Sequence, residues 1–337
     1  MCSLFMSEIN IACYILAGYV NLFQSIWEII IYTQNPPLHS QTPLIQSQYL
    51  KNTRGMQVFF KLELLQPPGS FKLRGIGKLC QQQWQQGVRS FVASSGGNAG
   101  VAVAYCGMKL EVPTTVFIPA SSHPIYIDAI KSYGAQVIVA GTVWDEAHQA
   151  AEAFAKEHGA AYIPPFDHPL IWDGHATIIE EVISQGMQIP DAVIVSVGGG
   201  GLACGVLQGM HAHGWHHVPL IAVETVGADA FFQSRKAGQR ITLSAITSKA
   251  TSLGAKSVAP RLLQWTHEHD IKNVVVSDLD AEQGSRQFAH DQRMLVELSS
   301  GASMSVVYGN HPVIHALGSI LVIACGGINT SHFNLMT

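Results

Sequence analysis

At 337 residues the chain is long enough for two lobes that share an interface. Apolar residues make up 47% of it and charged residues 12%, which excludes a disordered or coiled-coil chain and suits a sheet buried on both faces by helices. A net charge of -4 supplies no basic surface, so neither nucleic acid nor an anionic membrane is an expected partner.

Residues 1–36 read as an apolar extension foreign to the fold that follows. No charge falls between Ile9 and Trp27, a length approaching a bilayer span, yet Asn10, Asn21, Gln24 and Ser25 interrupt it and no Lys or Arg precedes Lys51. Membrane attachment through residues 9–27 is therefore the minority alternative to a cytoplasmic protein. From about residue 57, short β-branched runs alternate with longer amphipathic stretches, which predicts an α/β architecture with parallel strands and right-handed crossovers. The predicted strands are Gln57 to Leu62, Ser90 to Ala93, Thr114 to Ile118, Gln136 to Val139, Ala192 to Val197, Leu220 to Glu224 and Leu321 to Ala324, with helices between them. Ligands are expected where strands lead into helices at the carboxyl edge. Six scattered cysteines, Cys2, Cys13, Cys80, Cys106, Cys204 and Cys325, form no C-x-x-C pair and favour a reducing compartment. The histidines at 211, 213, 216 and 217 read as solvated loop residues in preference to a metal site.

Four motifs fall at such strand ends. Ser70-Phe71-Lys72-Leu73-Arg74-Gly75 follows the first strand. Alone, its lysine reads as a surface residue; flanked by an aromatic ring and an apolar helix, it can be desolvated toward nucleophilic competence. Ser94-Ser95-Gly96-Gly97-Asn98-Ala99-Gly100 opens an alanine-rich helix, where successive amide N–H groups suit a carboxylate or phosphate. Ser196-Val197-Gly198-Gly199-Gly200-Gly201-Leu202 lets backbone approach a phosphate without a Cβ in the way. It lacks both the Walker lysine and G-x-G-x-x-G spacing, which disfavours nucleotides. Cys325-Gly326-Gly327 follows the last strand; a lone cysteine there is ordinarily a packing residue.

Together these four motifs resemble the fold-type-II pyridoxal-phosphate enzymes, and within them the serine/threonine dehydratase family, particularly its serine dehydratase-like branch. The resemblance runs from about Leu38 to Ser331 and is reinforced by Asp167 to Thr177 and by Glu224-Thr225-Val226-Gly227-Ala228. It implies two lobes, each a mainly parallel sheet flanked by helices: a large cofactor domain of residues 37–66 plus 168–337, and a small domain of residues 67–167. By position it makes Lys72 the imine-forming lysine and later the general base, with Phe71 against the cofactor ring. Ser94, Ser95, Gly96, Gly97 and Asn98 would hold the substrate carboxylate, Asn98 also reaching the cofactor. Gly198, Gly199, Gly200, Gly201 and Leu202 would cradle the phosphate, Ser252 would be a further cofactor-binding residue, and Cys325 would face the ring nitrogen. Oxygens of Glu224, Ala228 and Leu253 would hold potassium, and the protein would be a homodimer.

The implied reaction is elimination of water from L-serine or L-threonine to an enamine whose hydrolysis takes that water back up and releases ammonia, giving pyruvate or 2-oxobutanoate. Catalytically weak cofactor binding, serine racemisation and β-replacement are the competing readings, because a fold does not fix a reaction. Departures from the family favour modest activity. Gly96 and Ser252 stand where more active relatives carry alanine, Val296-Glu297-Leu298-Ser299-Ser300-Gly301 replaces V-E-P-A-C-G, and the stretch from Tyr308 to Cys325 and the end after Ser331 are short.

Overall fold

The structure, a computed structural model, describes residues 35–333. The apolar stretch from Ile9 to Trp27, and with it the membrane reading, lies outside the described residues, as do Cys2 and Cys13. Among the described residues no helix is long and apolar enough to cross a membrane.

From His39 onward the chain forms one compact unit. Strand β1 (Leu44–Gln46), helix α1 (Gln48–Arg54) and strand β2 (Gln57–Lys61) open it. They are followed by α2 (Lys72–Gln85), β3 (Phe91–Ala93), α3 (Asn98–Leu110), β4 (Thr114–Ile118), α4 (Pro124–Ser132), β5 (Gln136–Val139), α5 (Trp144–His158) and β6 (Ala161–Tyr162). Then come α6 (Pro169–Ser184), β7 (Ala192–Ser196), α7 (Gly201–Ala212), β8 (Leu220–Thr225), α8 (Ala230–Ala237), α9 (Pro260–Glu268) and β9 (Ile271–Val276). Helices α10 (Asp278–Gln292) and α11 (Leu298–Tyr308) and strand β10 (Ser319–Ile323) complete the series.

Among the described residues the strands form a six-stranded sheet in the order β1-β2-β10-β7-β8-β9 and a four-stranded sheet in the order β5-β4-β3-β6. Every pairing is parallel except that of β1 with β2. This is the α/β architecture with parallel strands that the alternation predicts, in the two mainly parallel sheets that the family resemblance implies. Strands β4, β7 and β8 are buried along their whole length, as continuous apolar runs in a sheet covered on both faces should be. One face of the larger sheet packs Phe60, Val223 and Val322 against Phe288 and Val306 of α10 and α11. The other packs Val195, Ala222 and Ile323 against Ile179 and Leu207 of α6 and α7.

Helix starts follow local chemistry. Pro124, Pro169 and Pro260 occupy the first positions of α4, α6 and α9, where a missing N–H costs nothing. Ser277 and Asp280 cap α10 reciprocally. Strands β1, β6 and β9 are not among the predicted ones. The first two have only three and two residues, and β9 is an edge strand whose Lys272 and Asn273 break its apolar run.

Candidate active site

Because β2, β10, β7 and β8 run parallel, the segments that follow them gather at one edge of the sheet. After β2 the chain turns through Glu63–Leu65 and is stitched to the segment after β10. Ser70 bridges Gly326, the Gly327 amide donates to the Gly69 carbonyl at 2.8 Å, and the Phe71 amide donates to the Cys325 carbonyl at 3.0 Å. This stitching fixes Lys72, the first residue of α2, close to Cys325. Lys72 Nζ donates to the Pro165 carbonyl at 2.7 Å and lies 5.2 Å from the centroid of the Phe71 ring. Burial pulls its amine down to about 8, against the opposing pull of Cys325 and Glu297. One turn of chemistry further along, buried Arg74 pairs with Glu63 through Nε at 2.7 Å and with Glu181 through Nη1 at 2.7 Å. Lys61 joins Glu181 at 2.6 Å, so the start of α2 is tied to β2 and α6 by charge as well as by backbone.

Two amide-rich turns face this edge. At the start of α7, Gly200 has φ 88°, a left-handed backbone that favours glycine. Among the described residues no acceptor takes the amide N–H of Gly198, Gly199, Gly200, Gly201 or Leu202, and the last three of these residues are buried. Buried amides without partners at a helix start form an anion site. The turn before α3 is built in the same way, with Ser95, Gly96, Gly97 and the first amides of the helix donating to no described acceptor. Ser94 Oγ lies 2.7 Å from Tyr162 Oη, so its side chain is engaged on the flank of the turn.

Between the turns lies Glu297, which the motifs did not single out as a site residue. Asn98 Nδ2 donates to its two oxygens at 2.9 and 3.1 Å, Tyr126 Oη donates at 3.1 Å and Ser299 Oγ at 2.5 Å. Burial raises this carboxyl above the usual range despite the donors around it, Ser252 included. The Asn98 side chain is thus held by Glu297, while its Oδ1 accepts from the Ile328 amide at 3.3 Å. Gly327 has φ 115°, and a Cβ there would fall on the Glu297 carboxylate. Cys325 Sγ lies 3.0 Å from Ser300 Oγ, and burial lifts the thiol to about 12, so it stays protonated. Pro165 and Tyr126 lie outside every motif, whereas Glu297 and the fully buried His175, which backs Phe71 at 5.0 Å between ring centroids, lie inside segments that carried the resemblance without a role of their own. Each reaches the site from a distant part of the chain.

Farther along the edge, Glu224 is fully buried with its oxygens on the amides of Phe231 and Phe232, both at 2.8 Å. Burial pushes its carboxyl up to about 8. Ala228 follows within the turn after β8, and Leu253 sits in a separate short helical turn whose backbone lies against Gly198. The histidine cluster lies at the end of α7, with His211 Nε2 at 3.0 Å from His269 Nδ1.

A profile of the family described as "Pyridoxal-phosphate dependent enzyme" matches residues 36–326. The chain is 44% identical over 306 residues to the "Serine dehydratase-like" protein of Homo sapiens, covering 88% of this chain and 93% of that one. It is also 44% identical to the "L-serine dehydratase/L-threonine deaminase" of Homo sapiens, with the same coverage. Among solved structures, a fungal L-serine ammonia-lyase from Rhizomucor miehei superposes with a TM-score of 0.84 at 36% identity, covering 89% of this chain and 97% of that one.

Proposed function

We propose a function from a settled premise: the chain belongs to the family of pyridoxal-phosphate dependent enzymes. The proposed reaction is the deamination of L-serine, L-threonine or both to pyruvate or 2-oxobutanoate and ammonia, the water lost in elimination being taken up again when the released enamine hydrolyses. The activities named for its relatives support that choice of reaction. The observation that supports the site assignment is the stitching of Ser70 and Phe71 to Gly326 and Cys325, which sets a desolvated lysine close to Cys325 and Glu297.

The residues present suit the cofactor. Lys72 would hold it covalently, the amides of Gly198, Gly199, Gly200, Gly201 and Leu202 its phosphate, and Phe71, Asn98, Ser252 and Cys325 its ring. When bound, the cofactor supplies an electron-withdrawing ring that stabilises negative charge at the α-carbon of an amino acid. The protein supplies the rest. Ser94 to Asn98 orient the substrate carboxylate with amide N–H groups. Lys72, its amine drawn down to about 8, is a competent acceptor of the α-proton near neutral pH, and the Pro165 carbonyl aims its Nζ. Cys325, a neutral thiol, would stand against the ring nitrogen where a carboxylate could otherwise sit. Potassium held by oxygens of Glu224, Ala228 and Leu253, a homodimer and a cytoplasmic setting complete the proposal.

The test uses protein purified with cofactor. Cofactor absorbance in the near-visible range is expected, absent in Lys72→Ala, together with release of oxo acid and ammonia from L-serine or L-threonine that weakens when potassium is exchanged for lithium. Retained cofactor with no oxo acid from either amino acid overturns the deaminase reading.

A further inference from the structure

A chain of hydrogen-bonded side chains leaves the candidate site and reaches solvent. Ser94 follows β3 and is 1% exposed, at the root of the turn that leads into α3. Its Oγ is 2.7 Å from Tyr162 Oη on β6, and that oxygen is 2.8 Å from Nδ1 of His148 on α5. His148 Nε2 lies 3.6 Å from Glu152, whose side chain is 56% exposed. The imidazole is held in place by Trp144, stacked on it with ring centroids 4.7 Å apart and planes 9° from parallel.

Tyr162 has one hydroxyl hydrogen and two neighbours that compete for it, so the state of His148 fixes the direction of every bond in the chain. With imidazole neutral and its hydrogen on Nε2 toward Glu152, Nδ1 accepts. Tyr162 then donates to His148 and Ser94 donates to Tyr162, which uses the Ser94 hydrogen inside the chain. With both ring nitrogens protonated, Nδ1 donates to Tyr162, Tyr162 donates to Ser94, and the Ser94 hydrogen is released for another acceptor. Tyr162 does not itself titrate in this range, because burial raises its phenol to about 12. Two ionisable side chains contact the ring: Tyr162 from β6, and Glu152 from α5 itself. In the first turn of α5, Asp145 is occupied by Lys256 at 2.9 Å and Glu146 by the Thr142 amide at 2.5 Å.

We infer that His148, acting through Tyr162, sets whether the Ser94 hydroxyl is a hydrogen donor to an amino-acid carboxylate held by the turn from Ser94 to Gly100. His148 and Tyr162 are positioning residues in this scheme; neither touches substrate. The inference rests on the reading of that turn as the carboxylate site. It predicts that substrate is held more tightly when the imidazole is charged.

The experiment follows KM and kcat for L-serine with the holoenzyme from about pH 5.5 to about pH 8.5, across the imidazole range. In the wild type, KM is expected to be lower on the acid side by about tenfold, the effect of one hydrogen bond to a charged group. Tyr162→Phe frees the Ser94 hydrogen permanently, so its KM should stay at the low acid-side value throughout, with kcat retained. His148→Gln should show no imidazole-dependent change in KM, and Ser94→Ala should have the high value throughout. A merely structural role for Tyr162 would raise KM in Tyr162→Phe instead of fixing it low. Superimposable KM profiles for wild type and Tyr162→Phe, or a raised KM in that variant, overturn the inference and leave the deaminase reading intact. Should turnover be absent, the dissociation constant of L-serine, read from the cofactor absorbance, takes the place of KM with the same expected pattern. Absence of both turnover and L-serine binding overturns the deaminase reading, and the inference with it.

Discussion

Lys72 and Glu297 are oppositely shifted by the same cause. Burial disfavours charge on each, lowering the amine to about 8 and raising the carboxyl, while Glu297 pulls the Lys72 amine back up and the hydrogen-bond donors around Glu297 oppose its rise. Glu297→Gln removes the negative partner without changing shape. The pH–rate limb assigned to the Lys72 amine should then move to lower pH by up to about one unit; an unmoved limb would mean that Glu297 carries no charge in the working enzyme. These two residues also mark what a sequence discloses. Lys72 is legible because its neighbours on either side form a motif. Glu297 is legible only as part of a segment set against the family's V-E-P-A-C-G, because its role comes from Asn98, 199 positions away. The same holds for Ser94, visible as part of a turn, whereas its engagement by Tyr162 depends on how β3 and β6 pair.

At the scale of elements, the strand-to-helix turns were readable wherever glycine and serine interrupt an apolar run, and strands β4 and β5 fall where the pattern puts them. Strands whose pairing and not whose composition defines them, such as β1 and β6, were not readable. The stitching of the α2 start to the segment after β10 belongs to this scale and is open to test through Gly327. Its left-handed backbone and the Glu297 carboxylate beside it leave no room for a Cβ. Gly327→Ala should cost on the order of 1–3 kcal/mol in backbone strain alone, and more as Glu297 is displaced. Thermal unfolding should therefore occur at lower temperature, with weaker retention of cofactor. An unchanged melting temperature with full cofactor occupancy would show that the close approach is not a constraint.

For the molecule as a whole, the buried charge network around Arg74 makes acid stability specific. His39 lies beside this network, and burial with the charge of Arg74 lowers its imidazole to about 4. The unfolded chain takes up its proton at the ordinary imidazole value, near pH 6.5, and the folded protein only near 4, so His39 reduces stability as pH falls through that window. Glu181, held below the carboxylate range by Arg74 and Lys61, adds a loss at lower pH, whereas raised Glu224 works in the opposite sense. Chemical denaturation of wild type beside His39→Gln isolates the first effect: the variant should gain relative stability from about pH 6.5 to about pH 4, and parallel curves would refute it. Global topology was legible as a class, since alternating elements imply parallel sheets, but the strand order was not, because nothing local says that β10 lies between β2 and β7. That placement matters in time. A ribosome delivers β2 and β7 before Ser319 to Cys325, so until β10 emerges β2 and β7 lack the strand that joins them and leave open edges. Open edges invite pairing with other chains. Translation that stalls before Ser319 would accordingly yield polypeptides prone to clump, and their burden would fall on chaperones and proteases before any shortfall in catalysis was felt.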